Sequence, residues 1–417
     1  MPVDVTVEIC GMVGDGTIAT GALINDAMSE GGFFVLGFDS YPAEIRGFGR
    51  CVTKSRIGSQ EILALDSETH ALISLNDEES RSRVPFLARS AAVFFDSNPP
   101  VSVPEERSLV AAVEPDARLF GIPCTELAAE AAGTARGRNL TALGAFSAVF
   151  GVSRDLVHRV ITRKFGTKGT KILQANLKSF DAGYDYASDK FAKRLDHIFA
   201  AGERPAGPQK IMLSGNEAIG KAALDAGVRL YFGYPITPAT PIMEYLAKRL
   251  PERGGRVIQM EDEISSIAAV LGCFHAGTRA MTATSGPGFA LMTELIGHGV
   301  MAEIPAVILN AQRGGPSTGL PTKTEQSDLH AAVYGGPGDS PRIVTAPTNV
   351  EECYRFTVQS FQIAEKYQTP VIVLTDFYLD NRVENIAVPE ATSQERAGGN
   401  VFPADASRGG YERYALA

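Results

Sequence analysis

The side chains of this chain that are best suited to chemistry lie between residues 231 and 328. They include a hydroxyl (Thr237), a carboxylate (Glu263) and a guanidinium (Arg313), which could orient a substrate, exchange a proton and bind an anion. Each lies in or beside a segment that ends a predicted strand and is rich in glycine, proline, serine or threonine. These segments cover residues 234–241, 260–266, 284–288 and 310–319. Because ligands of open α/β sheets bind outside the carboxyl ends of the strands, the four segments predict one wall of one binding site.

Glu263 begins a stretch of apolar and small residues that predicts a helix over residues 263–276. The helix dipole favours a carboxylate at this position, by less than about 1 kcal/mol at an exposed site. Because Glu261 and Asp262 precede it, Glu263 is compatible both with an ordinary acid at a helix start and with a catalytic carboxylate.

The motif Ser285-Gly286-Pro287-Gly288 ends the next predicted strand, 22 positions after Glu263. Glycine has no side chain, so its backbone can approach a ligand closely. The same residues are also typical of a tight turn. The motif therefore predicts either a ligand-contacting loop or a simple turn.

Two further segments present polar groups on stiff backbone. Three prolines stiffen Tyr234-Pro235-Ile236-Thr237-Pro238 and the residues after it, which holds the Thr237 hydroxyl in place. Arg313 follows an apolar predicted strand and precedes two glycines, an arrangement that suits bidentate binding of a carboxylate. A rigid connector and a surface ion pair are the respective alternatives.

Composition narrows the class of protein. The chain has 417 residues, 44% of them hydrophobic and 21% charged, which predicts a globular protein of two or three domains without a membrane span. The net charge of −9 disfavours nucleic acid as a partner. Five scattered cysteines and six scattered histidines show no metal-ligand spacing, so we expect reduced thiols, a cytoplasmic location and no metal held by this chain.

Strands that alternate with helices predict an α/β protein with two domains, each a mostly parallel sheet with helices on both faces. We place the first domain at residues 1–190, a helix and linker at 191–209, the second domain at 210–380 and an extended polar tail at 381–417. Helices are predicted at 17–31, 139–150, about 175–200 (with 190–199 at helical spacing), 263–276 and 289–302, and strands at 3–10, 33–37, 90–95, 256–260, 280–284, 305–310 and 370–376.

In this order the motifs resemble the 2-oxoacid:ferredoxin oxidoreductases, and specifically the chain that joins a gamma-type domain to an alpha-type domain. The most specific segments are residues 234–238, 312–321 and 322–329. The distance from Glu263 to the Gly-Pro-Gly motif is similar to that in the pyrimidine-binding domain of thiamine diphosphate enzymes. The resemblance implies that Glu263 activates the cofactor, that Thr237 and Arg313 bind the 2-oxo carboxylate, and that Lys323, on a loop at 321–328 that closes over the substrate, binds a distal carboxylate. It also implies cofactor contacts by Tyr234, Pro235, Ile236, Ser285, Gly286 and Gly288.

The activity that the resemblance implies is oxidative decarboxylation of a 2-oxoacid, with 2-oxoglutarate as the first choice, to acyl-CoA and carbon dioxide. Electrons go to ferredoxin, and coenzyme A accepts the acyl group. The resemblance further implies a beta-type partner subunit that holds the diphosphate half of the cofactor, Mg²⁺ and a 4Fe-4S cluster, in a dimer of heterodimers. Pyruvate and branched-chain 2-oxoacids stay open as substrates.

The chain departs from the family pattern in two places. Gly14-Asp15-Gly16 is not followed at the required distance by Asn, so we do not interpret it as a diphosphate site; Met12 and Asp15 also depart from the gamma pattern, whereas Arg46-Gly47 and Asn139 fit it. Family chains continue into a further α/β domain after a segment like residues 411–416, where this chain stops. We therefore expect that domain to be absent.

Three other functions stay open. A thiamine-dependent decarboxylase or carboligase component would need its own diphosphate-binding segment. A non-catalytic structural or regulatory subunit would not need Glu263, Thr237 and Arg313 together. A dinucleotide-dependent dehydrogenase would need a glycine fingerprint with the opposite order of gaps from that of residues 11–16.

Overall fold

The computed structural model describes residues 2–40, 49–99, 108–202 and 210–388, which form two compact units. The first unit contains the described residues of Met1–Met212 together with Val383–Val388, and the second contains Leu213–Arg382. Arg46-Gly47, residues 203–208 of the predicted linker and the segment at 411–416 lie outside the described residues. The predicted domain boundaries stay predictions.

The described residues contain fourteen strands and fifteen α-helices. The strands are β1 (Asp4–Met12), β2 (Phe34–Ser40), β3 (Arg50–Gly58), β4 (Thr69–Ser74), β5 (Leu87–Asp96), β6 (Arg118–Ile122), β7 (Lys210–Ser214), β8 (Leu230–Gly233), β9 (Arg256–Gln259), β10 (Ala280–Thr284), β11 (Ala306–Gln312), β12 (Ile343–Thr345), β13 (Pro370–Asp376) and β14 (Val383–Ala387). The helices are α1 (Thr17–Glu30), α2 (Asp77–Ser80), α3 (Leu109–Ala112), α4 (Cys124–Ala132), α5 (Arg138–Phe150), α6 (Arg154–Phe165), α7 (Thr170–Lys190), α8 (Ile198–Ala201), α9 (Gly215–Asp225), α10 (Thr240–Arg249), α11 (Glu263–His275), α12 (Gly286–Met301), α13 (Leu329–Tyr334), α14 (Val350–Tyr367) and α15 (Phe377–Asn381). Short 3-10 turns lie at Arg81–Phe86, Ala135–Gly137, Gly166–Lys168, Ala192–Arg194 and Pro251–Arg253.

The sheet of the first unit is mixed, which corrects the prediction of a mostly parallel sheet. Its order is β6-β5-β4-β1-β3-β2-β14-β7. The strands β1, β4, β5 and β6 are parallel neighbours, whereas β3 is antiparallel to β1 and β2, and β14 is antiparallel to β2. Sequence patterning missed β3 because Lys54 and Arg56 interrupt its apolar positions. Those charges are balanced by pairing, since Lys54 lies 3.2 Å from Glu8 and Arg56 lies 2.6 Å from Asp4.

The strand β14 corrects the expectation that an extended tail begins at residue 381. Its Asn385 side chain accepts a hydrogen bond from the Val35 backbone N–H at 2.9 Å and donates one to the Phe33 carbonyl at 2.6 Å. These partners lie about 350 positions earlier in the chain. The local polarity of this segment gave no indication of such pairing, because the partners are remote in sequence.

The predicted helix at 139–150 is confirmed as α5, and it packs closely against α7 as expected. A Cβ atom on Gly144 would lie 2.1 Å from the Phe180 carbonyl oxygen of α7, so only glycine permits this approach. The helical stretch predicted between about 175 and 200 is confirmed only as far as Lys190, where α7 ends and a 3-10 turn follows. The reason is tertiary packing: Phe191 is buried edge-on against the Phe120 ring, at a centroid distance of 5.1 Å.

The second unit has a six-stranded sheet in the order β12-β13-β11-β10-β8-β9, and every pairing in it is parallel. Each residue of β10, β11 and β13 is buried, as expected for central strands that are covered on both faces. Helices alternate with these strands along the chain, which confirms the α/β class. In the described part of the chain, no helix combines the length and apolar character that crossing a bilayer requires.

Candidate functional site

The predicted site residues lie at one edge of the second unit's sheet. The strands β9, β8, β10, β11 and β13 are consecutive neighbours and parallel, so their carboxyl ends share that edge. Thr237 follows β8, Glu263 follows β9, and Arg313 follows β11 directly. The order of strands therefore brings together residues that are separated by up to 76 positions in the sequence.

Glu263 is the first residue of α11, and its side chain is directed into the protein. Asp262 caps the helix instead, accepting a hydrogen bond from the Ser265 backbone N–H at 2.7 Å. Only 5% of Glu263 is exposed. Within the described residues, the donor to its carboxylate is the Thr284 hydroxyl, 3.4 Å from Oε1. A nearly buried carboxylate with one long hydrogen bond retains the capacity to bind a further donor, because each carboxylate oxygen accepts two hydrogen bonds.

The glycine motif lies directly over this carboxylate. A Cβ atom on Gly288 would stand 2.3 Å from Glu263 Oε1 and 2.1 Å from Thr284 Oγ1. Any other residue at position 288 would therefore collide with the acid. A tight turn alone does not explain the glycine at this position, because the space that a side chain would need is filled by the Glu263 carboxyl group and the Thr284 hydroxyl.

Arg313 joins the ends of β8 and β11. It is 6% exposed, its Nη1 donates to the Thr237 carbonyl at 2.7 Å, and its Nη2 donates to the Thr318 carbonyl at 2.8 Å. Its Nε–H is buried without a hydrogen-bond partner among the described residues. This unused donor leaves the guanidinium one hydrogen bond short, which a carboxylate ligand could supply.

Electrostatics connect Arg313 to Glu263. Burial lowers the pKa of the Arg313 guanidinium from its usual range, because the interior disfavours charge, and the Glu263 carboxylate partly opposes this shift. A buried guanidinium and a buried carboxyl group thus line the same edge without a salt bridge between them. The surface ion pair considered from the sequence does not describe Arg313, because the residue is buried.

The segment before α10 presents its side chains outward. Tyr234, Pro235 and Thr237 are exposed, and Ile236 is partly buried. The backbone is held from below: the Asn216 Nδ2 donates to the Pro238 carbonyl at 3.1 Å, and the Thr240 hydroxyl donates to the Ile236 carbonyl at 3.0 Å. These contacts fix the backbone that positions Thr237 and leave the exposed side chains available to a ligand.

Ser285 has a different place from its neighbours in the motif. Its hydroxyl donates to the Ala311 carbonyl at 2.7 Å, and the residue is fully buried. The side chain therefore ties the end of β10 to the end of β11. Ser285 could therefore contact a ligand only through its backbone atoms.

The loop from 314 to 328 folds back on itself after Arg313. The Gly314 N–H donates to the Lys323 carbonyl at 2.8 Å, and the Lys323 N–H donates to the Leu320 carbonyl at 3.0 Å. The Lys323 side chain is exposed. The Lys323 backbone is thus hydrogen-bonded to Gly314, the residue that follows Arg313. Its ammonium group lies at the surface.

Sequence reasoning missed three residues at this edge: Thr284, Asn310 and Asp328. Thr284 contacts Glu263, and Asn310 donates to the Asp328 carboxylate at 3.2 Å. Burial raises the pKa of the Asp328 carboxyl, with the Glu325 charge adding to the effect and the hydrogen bond from Asn310 opposing it. All three lie at the ends of the motif segments given above. Their contacts with residues of other strands and loops could not be derived from the spacing of residues along the chain.

The groups at this edge are of the kinds that the aminopyrimidine ring of thiamine diphosphate could bind. They are the Glu263 carboxylate with its long hydrogen bond, the exposed Tyr234 side chain and the partly buried Ile236 side chain. In the described part of the chain, no group of three or more His, Cys, Asp or Glu side chains is arranged to bind a metal ion.

Gly14-Asp15-Gly16 belongs to the first unit, between β1 and α1. Asp15 accepts a hydrogen bond from the Met12 backbone N–H at 2.8 Å and pairs with Arg138. Asn139 fills the space beside Gly16, where a Cβ atom would lie 2.6 Å from its amide nitrogen, and donates to the Thr20 hydroxyl at 2.9 Å. The turn is therefore occupied by the chain's own side chains.

Two family models match the chain. Residues 6–186 match the model described as pyruvate ferredoxin/flavodoxin oxidoreductase, and residues 221–409 match the model described as pyruvate flavodoxin/ferredoxin oxidoreductase, thiamine diphosphate-binding. The second match includes Tyr234, Thr237, Glu263, Arg313 and Lys323. It supports thiamine diphosphate binding by the second unit.

Individual proteins show the same likeness over most of the chain. A 2-oxoglutarate oxidoreductase subunit KorA of Mycobacterium tuberculosis is 32% identical over 94% of this chain and 63% of its own length. Subunit alpha of the 2-oxoacid:ferredoxin oxidoreductase 2 of Aeropyrum pernix is 31% identical over 92% of this chain and 67% of its own length. A solved structure of 2-oxoglutarate:ferredoxin oxidoreductase from Magnetococcus marinus, with 2-oxoglutarate, coenzyme A and succinyl-CoA bound, has 38% identity and a TM-score of 0.83, covering 93% of this chain and 66% of that one.

Other relatives match only part of this chain. The 2-oxoglutarate synthase subunit KorA of Methanothermobacter thermautotrophicus is 46% identical over 47% of this chain, and the match spans 52% of the relative's own length. The chain spans between 31% and 67% of the length of the curated relatives that it matches. With two family models and two relatives matched across nearly its whole length, the chain belongs to the family of 2-oxoacid:ferredoxin oxidoreductase alpha subunits.

Proposed function

We propose that this chain is the alpha-type subunit of a thiamine diphosphate-dependent 2-oxoacid:ferredoxin oxidoreductase. The reaction is oxidative decarboxylation of a 2-oxoacid to acyl-CoA and carbon dioxide, with electrons passing to ferredoxin. The observation that carries this proposal is the nearly buried Glu263 carboxylate, which packs against Gly288 and has one long hydrogen bond among the described residues, from Thr284. Thiamine diphosphate, when bound, supplies the reactive carbon and the electron sink that decarboxylation requires.

Glu263 would bind the aminopyrimidine ring of the cofactor and could exchange a proton with it at its carboxylate oxygen. Burial would strengthen this interaction, because a hydrogen bond to a charged oxygen gains strength where water is excluded. The Thr284 hydroxyl orients the carboxylate from the side of Oε1. Tyr234, Pro235 and Ile236 would hold the ring through their side chains, and Ser285, Gly286 and Gly288 would contact it through their backbone.

Arg313 and Thr237 hold the carboxylate of the 2-oxoacid, with the free Nε–H of Arg313 as a donor. Lys323 presents a second cation ten positions later on the same folded loop. Two cations at a fixed separation select a dicarboxylic 2-oxoacid, and we propose 2-oxoglutarate. The relatives with 2-oxoglutarate in their names, and the related structure with that compound bound, support this choice.

The remaining components come from elsewhere. A beta-type subunit holds the diphosphate half of the cofactor, Mg²⁺ and a 4Fe-4S cluster, coenzyme A is the acyl acceptor, and two heterodimers associate. The designation of the Aeropyrum relative as subunit alpha and the coenzyme A in the Magnetococcus structure support this arrangement. The cytoplasm is the compartment we expect.

The test is reconstitution with the beta-type subunit. We expect ferredoxin reduction that depends on 2-oxoglutarate, coenzyme A and both chains, and no reduction by either chain alone. Turnover by this chain alone with added cofactor would contradict the division of the site between two chains.

Glu263→Gln separates a catalytic subunit from a structural or regulatory one. We expect turnover by the reconstituted complex to fall by at least about a hundredfold, the lower range for losing a positioned acid–base group. Glu261→Gln, at an exposed position two residues earlier, is the matched control and should retain activity. An active Glu263→Gln complex would assign this chain a scaffolding role.

A further inference from the structure

The 314–328 loop is attached to the sheet at its far end through Asp328. The Asp328 backbone N–H donates to Gln312 Oε1 at 2.9 Å, and its carboxylate accepts from Asn310 Nδ2 at 3.2 Å. Both partners belong to β11, the strand that immediately precedes Arg313. Asp328 thus returns the loop to the strand from which it departed.

The neighbouring strand β13 supports the same attachment. Gln326 Nε2 donates to the Asp376 carboxylate at 2.6 Å, and Gln312 Nε2 donates to the Thr375 carbonyl at 3.1 Å. The loop is therefore bound to the ends of two central strands, β11 and β13. Those strands are fully buried, so the attachment points are themselves rigid.

Asp328 also contacts the wall that carries the glycine motif. Its Oδ2 lies 2.8 Å from the position that a Cβ atom on Gly286 would take, at the first residue of α12. The Ser285 hydroxyl does not cap this helix, because it donates to the Ala311 carbonyl instead. A carboxylate at this place is favoured by the helix dipole.

The near end of the loop is equally ordered. The Gly314 N–H donates to the Lys323 carbonyl at 2.8 Å, the Leu320 N–H donates to the Gly314 carbonyl at 2.8 Å, and the Gly315 N–H donates to Glu325 Oε2 at 2.7 Å. The loop is thereby fixed on both sides of Lys323. Gly314 bonds to the Lys323 carbonyl on one side, and Asp328 bonds to β11 on the other. No other carboxylate among the described residues of the loop contacts β11.

We propose that Asp328 is a positioning residue for the substrate: it fixes the 314–328 loop to β11 and to the start of α12, and so holds Lys323 at a set reach from Arg313. The inference rests on the proposed function, because it assigns the fixed distance between two cations to recognition of a dicarboxylic 2-oxoacid. It also makes the loop a folded part of the site before substrate binds, rather than a segment that orders on binding.

The first test is hydrogen exchange on the full chain without substrate. In Asp328→Ala we expect the amides of Gly314, Gly315, Leu320 and Lys323 to exchange at least tenfold faster than in the unmodified chain. Asp328→Asn retains an oxygen acceptor for Asn310 and should restore most of the protection. Asp339→Ala, at an exposed acid of the same unit, is the control and should change nothing. Unchanged protection in Asp328→Ala would overturn the proposal.

The second test uses the reconstituted complex and two substrates. Asp328→Ala should raise KM for 2-oxoglutarate at least tenfold and leave KM for the monocarboxylic 2-oxobutyrate within threefold, because only the dicarboxylate uses Lys323. Equal changes for both substrates would indicate a purely structural role and overturn the assignment.

The two tests separate the two proposals. If the unmodified complex turns over no 2-oxoacid, the proposed function fails, while the exchange rates still decide whether Asp328 fixes the loop. If the complex is active and the exchange rates are unchanged, the function stands and the positioning role fails.

Discussion

Two strand-to-helix turns of this protein place a polar side chain against a glycine, and they differ in how fully that side chain is hydrogen-bonded. Between β1 and α1, in the first unit, Asp15 lies within the turn and pairs with Arg138, while Asn139 occupies the space beside Gly16 and donates to the Thr20 hydroxyl at 2.9 Å. Between β10 and α12, in the second unit, the Glu263 carboxyl group from a different helix occupies the space beside Gly288, and its hydrogen bond from Thr284 is long, at 3.4 Å.

The difference shows that glycine spacing alone does not identify a ligand site. In the first turn, glycine serves backbone conformation, since Gly14 and Gly16 have φ values of 98° and 84°. In the second turn, Gly288 is helical, and its lack of a side chain makes room for the Glu263 carboxyl group, which has one long hydrogen bond among the described residues. A glycine motif is a candidate site where neighbouring polar groups have unused hydrogen-bonding capacity.

Gly288→Ala would sharpen this comparison most, and we expect it to have the largest effect on turnover. The added Cβ atom would stand 2.3 Å from Glu263 Oε1 and displace the carboxylate. Since a displacement of about 1 Å can reduce a rate by about a hundredfold, we expect at least that loss of turnover in the reconstituted complex. Steady-state ferredoxin reduction measures it.

Gly297→Ala, in the same helix, is the control for Gly288→Ala. Its Cβ atom would meet only ordinary contact, with Ser340 at 3.9 Å. It should retain activity and gain about 0.5–1 kcal/mol in the free energy of unfolding, because alanine favours the helix. Equal activity of the two variants would contradict the role assigned to Gly288.

A smaller effect is expected for Asp15→Ala in the first turn. The substitution removes the pair with Arg138 and the acceptor for the Met12 N–H, so we expect the free energy of unfolding to fall by about 1–2 kcal/mol. Turnover of the 2-oxoacid at saturating substrates should be unchanged. Chemical denaturation and kinetics of the complex measure the two quantities.

The same variant can also break the comparison. A rise in KM for coenzyme A that exceeds any rise in KM for the 2-oxoacid would identify the first turn as a ligand site. Asp116→Ala, at an exposed acid of the first unit, is the control and should change neither stability nor KM.

The last effect, on stability and not on turnover, concerns a buried acid of the second unit. Asp380 is fully buried, and neither of its oxygens has a partner at hydrogen-bond geometry among the described residues. Burial raises the pKa of this carboxyl well above its usual value; the nearby Thr375 hydroxyl opposes the shift, and the Asp376 charge adds to it. The folded state therefore keeps a proton that the unfolded chain releases near pH 4.

Because the folded state raises this pKa, we expect Asp380→Asn to become more stable than the unmodified chain as the pH rises. As the pH rises above about 4, the unmodified chain loses about 1.4 kcal/mol of unfolding free energy per unit of pKa difference, and the variant does not. Thermal midpoints should therefore agree at pH 4 and favour the variant at pH 6 and above. Asp339→Asn, at an exposed acid, should show no such divergence. A constant difference at all pH values would contradict a protonated Asp380.

The sequence by itself determined the local features of this protein. Apolar periodicity predicted the α/β class, the start of α11 at Glu263 and the extent of β10, because helix and strand preferences depend on residues close together in the chain. The motifs predicted which strand ends carry polar residues. Since parallel strands share an edge, those predictions were enough to locate Thr237, Glu263 and Arg313 on one side of the sheet.

Only the tertiary structure decided which groups contact one another and which remain open. The hydrogen bond between Thr284 and Glu263, the attachment of Asp328 to Asn310 and the pairing of β14 with β2 join residues that are far apart in sequence. Charged positions in β3 and polar positions in β14 concealed those strands, because their charges and amides are satisfied by remote partners. Pairing across a sheet depends on the register and order of strands, which the spacing of residues along one chain does not encode.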